Sequence, residues 1–123
     1  MPPPSRPLAG RRALIVEDDG LFALEMTEVL AALGCKIVDV ASGLDRGLAA
    51  AEFHELDLAV VDVNLGAEKA FRVGFMLMAR QVPFVFATGA ARDSIPPVFC
   101  DVPLLEKPFS ARDLETALLS LTA

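Results

Sequence analysis

Short unbroken apolar runs alternate along the chain with stretches whose apolar residues recur three or four positions apart. The central run is Leu58 to Val61, closed at its two ends by Asp57 and Asp62. Such a run, with β-branched members, suits a strand buried on both faces, as in a parallel sheet covered by helices. At about 3.3 Å per residue the two aspartates stand roughly 16 Å apart, at opposite ends of that strand. Ligand sites in open α/β sheets form beyond the carboxyl ends of the strands, so Asp62 is the candidate for chemistry. Asp57 reads as a polar strand entry.

The other elements follow in order. Ala13 to Val16 predict a first strand running straight into Glu17, Asp18 and Asp19. Phe22, Met26, Val29, Leu30 and Leu33 form one stripe of a helix that Asp19 can N-cap and Gly34 can end. Lys36 to Val40 predict a second strand. Ser42 opens a weaker helix to about Phe53, with Leu44, Leu48 and Ala51 inward. Val63 to Lys69 read as a loop turning at Gly66, and a helix over roughly 70–81 carries Phe71, Gly74, Phe75 and Met78. Pro83 to Ala87 form the fourth strand, with Thr88 and Gly89 at its exit. From Ala90 to Pro103 the periodicity fades, and Pro96, Pro97 and Pro103 allow only a short or frayed helix. Leu104 to Glu106 form a short fifth strand leading into Lys107 and Pro108. Ser110 with Asp113 resembles a capping box for a last helix whose inner face is Leu114, Ala117, Leu118 and Leu121. Alternating strands and helices predict a doubly wound α/β domain: a five-stranded parallel sheet of flavodoxin-like order 2-1-3-4-5, with helices on both faces.

Composition narrows the function. A chain of 123 residues suits one compact domain, here expected over 12–123 with a flexible tail over 1–11 and no output domain after it. Net charge is −6 with no basic run, which argues against nucleic acid as a direct partner. No apolar run approaches the length of a membrane span, and the start of the chain lacks the apolar core of a secretory signal, so a cytoplasmic protein is expected. Two isolated cysteines, Cys35 and Cys100, and a single histidine, His54, make a zinc site a poor fit.

The strand ends collect the chemistry. Strand one delivers Glu17, Asp18 and Asp19, strand three Asp62, strand four Thr88, and strand five Lys107. Carboxylates gathered from neighbouring strands repel unless a cation sits among them. Hard oxygen ligands with waters in the remaining positions suit Mg²⁺ better than zinc or a full calcium cage. A hydroxyl and a fixed ammonium opposite them suit the equatorial oxygens of a phosphoryl group. Each piece alone has a bland reading as solvated loop, helix cap or turn. Together they describe a site that moves a phosphoryl group onto a carboxylate.

That set resembles the receiver domain of two-component response regulators over residues 12 to 121. By this resemblance Asp18 ligates Mg²⁺ directly and Glu17 through water. Asp62 accepts the phosphoryl group and the Asn64 carbonyl completes the metal shell. Thr88 is the switch hydroxyl, and Lys107, joined to Pro108 by a cis bond, is the family's lysine. The implied donor is a sensor histidine kinase or histidine phosphotransferase. The implied output is contact with a downstream protein effector, from a monomer or weak homodimer that catalyses only its own phosphorylation and dephosphorylation. Strand four reads PFVFATGA, similar to stand-alone alphaproteobacterial receivers with a Phe-Ala-Thr-Gly motif. The departures are Leu104 where receivers usually carry an aromatic switch residue, no tyrosine anywhere, and Asn64 to Glu68 in place of a proline-containing loop. Any switch is then expected to work through Thr88 and the 90–103 segment. The alternatives are a pseudo-receiver that docks a partner without phosphorylation, an aspartyl phosphatase and a flavin carrier. Asn64 stands where the phosphatase needs a second acid, and the acidic triplet would repel a flavin phosphate.

Overall fold

Five strands form one parallel sheet in the computed structural model, which describes residues 6–89 and 94–122. The strands of the chain are β1 (Arg12–Val16), β2 (Lys36–Ala41), β3 (Leu58–Asp62), β4 (Asn64–Leu65), β5 (Glu68–Lys69), β6 (Phe84–Thr88) and β7 (Leu104–Glu106). The sheet runs β2-β1-β3-β6-β7, all parallel, while β4 and β5 pair only with each other. With the β4–β5 pair set aside, this is the expected 2-1-3-4-5 flavodoxin-like order.

Alternation along the strands builds two cores. Leu14, Val16, Ala59, Val61 and Phe86 face α2 (Leu44–Phe53) and α3 (Phe71–Ala79), whose Ala51, Val73 and Leu77 close that side. Ala13, Ile15, Leu58, Val60 and Val85 face α1 (Gly20–Ala32) and α4 (Ala111–Ser120) through Met26, Leu30, Leu114 and Leu118. Every residue of β3 and β6 is buried, as the apolar runs require. Asp57 does more than open β3: its carboxylate accepts the Arg12 N–H at 2.7 Å and so tethers the start of β1.

The expected flexible segment over 1–11 is corrected in its described part. From Arg6 onward the chain packs on the turn after α1. The Leu8 N–H donates to the Leu33 carbonyl and the Gly10 N–H to the Gly34 carbonyl, each at 3.0 Å. The Leu8 side chain is fully buried in the core beneath α1. Gly34 allows this approach, because its φ is +96° and a Cβ there would lie 2.8 Å from the Ala9 Cα. Residues 1–5 lie outside the described residues.

Two further differences bear on the site. The expected loop over Val63–Lys69 contains the β4–β5 hairpin, turning at Gly66 with φ +62°. The described part of the stretch from Ala90 to Pro103 includes the 3-10 turn Pro97–Phe99, with residues 90–93 outside the description. Phe99 there is buried against Phe71, Phe75, Phe84 and Phe86. Gly74 on α3 makes room for this cluster, since a Cβ would stand 2.8 Å from Phe86 Cζ and 3.0 Å from Phe99 Cε1.

Candidate functional site

The acidic triplet after β1 divides into three different environments. Asp19 caps α1, its carboxylate accepting the Phe22 N–H at 3.0 Å. Asp18 is exposed and accepts the Gly66 N–H from the β4–β5 turn at 2.8 Å. Glu17 is turned inward and only 1% exposed. Asp62, at the end of the central strand, is 4% exposed. Glu17, Asp18 and Asp62 each offer a carboxylate oxygen within 4.8 Å of the others.

Lys107 bridges the two buried acids. Its ammonium donates to Glu17 Oε1 at 2.7 Å and to Asp62 Oδ2 at 2.9 Å. It gets there because the Lys107 N–H donates to the Thr88 carbonyl at 2.8 Å, the last bond of the β6–β7 ladder; the Lys107–Pro108 peptide is cis. Burial, together with the neighbouring Asp62 carboxyl, pushes Glu17 up to about 8, although the Lys107 ammonium works against the shift. Burial alone would lower Lys107. The hydrogen bonds and charges of Glu17 and Asp62 outweigh it and hold the lysine above its ordinary value.

Thr88 is fully buried at the end of β6, and its hydroxyl accepts from the Asn64 side-chain amide at 3.2 Å. Asn64 in turn accepts from the Lys69 ammonium across the hairpin. Its own N–H donates to Asp62 Oδ1 at 3.0 Å. The Ala70 N–H donates to the Val63 carbonyl, so Asn64 and Lys69, next along the ladder, form a non-hydrogen-bonded pair. The Asn64 carbonyl therefore faces the same side as its N–H, toward the acids.

All six residues singled out from sequence, Glu17, Asp18, Asp62, Asn64, Thr88 and Lys107, thus meet at the carboxyl edge of the sheet. Sequence reasoning missed the hairpin's share: the Gly66 amide on Asp18 and Lys69 on Asn64. A glycine-containing two-residue connection between Leu65 and Glu68 is the signal that pointed to it. The donor set fits a hard divalent cation. It is oxygen throughout, and three carboxylates against one ammonium leave an excess of negative charge. Glu17, Asp18, Asp62 and the Asn64 carbonyl are the groups that would hold it, directly or through water.

No family model matches the chain. It is similar to the transcriptional regulatory protein PdtaR of Mycobacterium tuberculosis, at 29% identity over 112 residues, 88% of this chain and 55% of PdtaR. The chain therefore spans about half the length of the curated relatives it matches. Among solved structures, SdrG from Sphingomonas melonis Fr1 superposes with a TM-score of 0.80 at 39% identity, covering 93% of this chain and 98% of SdrG. SdrG in its BeF3-activated conformation gives 0.75 at 37%, covering 98% and 100%. A CheY-like response regulator receiver domain from Methylobacillus flagellatus gives 0.77 at 27%, covering 92% and 99%. The receiver domain of a Pseudomonas aeruginosa sensor histidine kinase, solved with magnesium coordinated in its active-site cleft, shares the fold at a TM-score of 0.77 and 22% identity, covering 92% and 98%.

Proposed function

Since this chain belongs to the receiver-domain family of response regulators, and so to two-component signalling, we propose that it accepts a phosphoryl group on Asp62 from a phosphohistidine of a partner protein. The observation that carries this reading is the Lys107 ammonium held between two buried carboxylates at the ends of adjacent strands. Asp62 presents a carboxylate oxygen to phosphorus. The P–N bond of the donor breaks as the P–O bond forms, and the electron pair stays on the imidazole, which takes up a proton. Lys107 neutralises the Asp62 carboxylate beforehand and the phosphoryl oxygens afterwards, and the Thr88 hydroxyl serves those same oxygens. Glu17, Asp18, Asp62 and the Asn64 carbonyl would hold a divalent cation, which would supply further charge neutralisation at the phosphoryl group.

Two likenesses support the reading. SdrG, 39% identical, takes up a BeF3-activated conformation, and a receiver of the same fold binds magnesium in its cleft. In this reading the chain turns over no outside substrate. It modifies itself and passes the change on by contact with a downstream protein, in the cytoplasm where the donor resides. Among the described residues no helix is long and apolar enough to cross a membrane.

The test is intact mass after incubation with Mg²⁺ and acetyl phosphate, with the wild-type protein beside Asp62→Asn. One labile phosphoryl adduct on the wild type alone is expected. An adduct on both proteins would move the acceptor elsewhere. No adduct from either acetyl phosphate or a phosphorylated histidine phosphotransferase would sink the phosphotransfer reading.

A further inference from the structure

An ammonium carries three N–H donors, and Lys107 uses two of them on Glu17 and Asp62. Among the described residues its remaining side meets no third acceptor. It stands 4.2 Å from the centroid of the Phe22 ring, well inside the roughly 6 Å over which a cation is attracted to an aromatic face. That ring is fixed from two directions. Its backbone N–H is tied to the Asp19 cap at 3.0 Å, which sets the first turn of α1. It packs at right angles to the Phe109 ring, centroids 5.1 Å apart at 87°, and Phe109 follows Lys107 by two residues, just beyond Pro108. The two phenylalanines line a cleft between α1 and α4 together with Glu25, Met26 and Leu114.

We infer that Phe22 is a positioning residue for phosphotransfer, its ring face holding the Lys107 ammonium at the reacting carboxylate. The inference rests on the phosphoacceptor reading of Asp62. Before transfer the ammonium bonds to Asp62 Oδ2. Afterwards that oxygen belongs to an acyl phosphate with its charge moved outward, and the ammonium must turn to the phosphoryl oxygens. A hydrogen bond is directional and breaks during that turn. Attraction to the ring comes from its quadrupole and varies gently as the cation slides over the face. Phe22 therefore keeps Lys107 at the site while its hydrogen-bond partner changes, and it shields that side of the charge from water.

The test uses Phe22→Leu, which keeps apolar bulk without a π face, and Phe22→Tyr, which keeps the face. Phosphorylation by acetyl phosphate at saturating Mg²⁺ should slow about three- to tenfold in the Leu variant and stay within about twofold of wild type in the Tyr variant. In a Lys107→Met background, Phe22→Leu should cause no further loss, because the two residues act as one unit. Mg²⁺ affinity should be the same in the wild type and the two Phe22 variants. A second readout needs no phosphorylation: the side-chain methylene protons next to the Lys107 ammonium should resonate upfield through the ring current in wild type and Tyr, and return to ordinary positions in Leu. Wild-type rates in a folded Leu variant overturn the inference, as does an equal loss in the Lys107→Met background, which would mark a purely structural role. If the wild-type protein forms no adduct on Asp62, the phosphotransfer reading fails by itself. The ring-current shift then decides whether Phe22 holds Lys107.

Discussion

Replacing Lys107 by Met keeps an apolar stem of similar length and removes the charge. In the structure that charge lies 2.7 Å from Glu17 and 2.9 Å from Asp62, two carboxylates that are almost wholly out of water. Removing one partner of a buried ion pair costs about 3–5 kcal/mol. The cost here is reduced because 24% of the Lys107 side chain is exposed and because Glu17 can discard its charge by taking up a proton, so about 2–3 kcal/mol is expected at pH 8.5. The pH dependence has a definite sign. The lysine's folded value is raised above 10.5, so its contribution is available at all lower pH and is lost only as pH climbs through the raised value. Glu17 titrates near 8, so near pH 5 it is protonated and the ammonium has less to neutralise. The variant should therefore lose least near pH 5 and most between about pH 8 and 10. With no tryptophan in the chain, urea unfolding is best followed by far-ultraviolet circular dichroism, with chelator present, at pH 5 and 8.5. Mg²⁺ at 100 times the variant's dissociation constant contributes about 2.7 kcal/mol to the variant, which should bring it close to the wild type measured with chelator. A loss below about 0.5 kcal/mol at both pH values, indifferent to Mg²⁺, would refute the picture of Lys107 as the counter-charge of this site.

Three other outcomes are expected. Leu8→Ala should lower stability by about 2–5 kcal/mol in urea unfolding, because the side chain is fully buried; a loss typical of an exposed position, under about 0.5 kcal/mol, would return the N-terminal segment to a passive tail. Gly74→Ala trades a helix-propensity gain of about 1 kcal/mol against overpacking of about 1–3 kcal/mol from the Phe86 and Phe99 rings, so a net loss of about 1 kcal/mol is expected from the same assay. Asp18→Asn should leave the unfolding midpoint near that of wild type, since an amide oxygen can still accept the Gly66 N–H, while weakening Mg²⁺ binding at least about tenfold by calorimetry.

The parts of this fold that the sequence displays are those where physics allows one pattern. A central strand covered on both faces must be an apolar run, and β3 and β6 are. Polar residues that interrupt such runs fall at strand ends, which is why Glu17, Asp62, Thr88 and Lys107 could be picked out before any geometry was known. The hairpin was illegible as a pair of strands because two-residue elements are too short to carry an alternating period. Leu8 was hidden for another reason: a single leucine among prolines has no periodicity at all, and only the Gly34 backbone it rests beside explains its burial. Phe22 was legible as part of an inward stripe, but spacing alone does not say that a ring's face, rather than its bulk, is what a neighbour uses. The three acids after β1 look alike in sequence, yet one is buried, one is exposed and one closes a helix.

β3 is paired to β1 on one side and β6 on the other, and Asp62 is its last residue. Amides in such a strand exchange with solvent only when most of the domain opens. The proposed acceptor thus stands on a strand whose amides are expected to exchange slowly, while the nearby residues Asn64 to Lys69 pair through a ladder only two residues long. A change in charge at Asp62 meets a support that does not yield on one side and a readily opened one on the other. Deuterium uptake should therefore report phosphorylation first in the hairpin, while β3 keeps the same protection in both states.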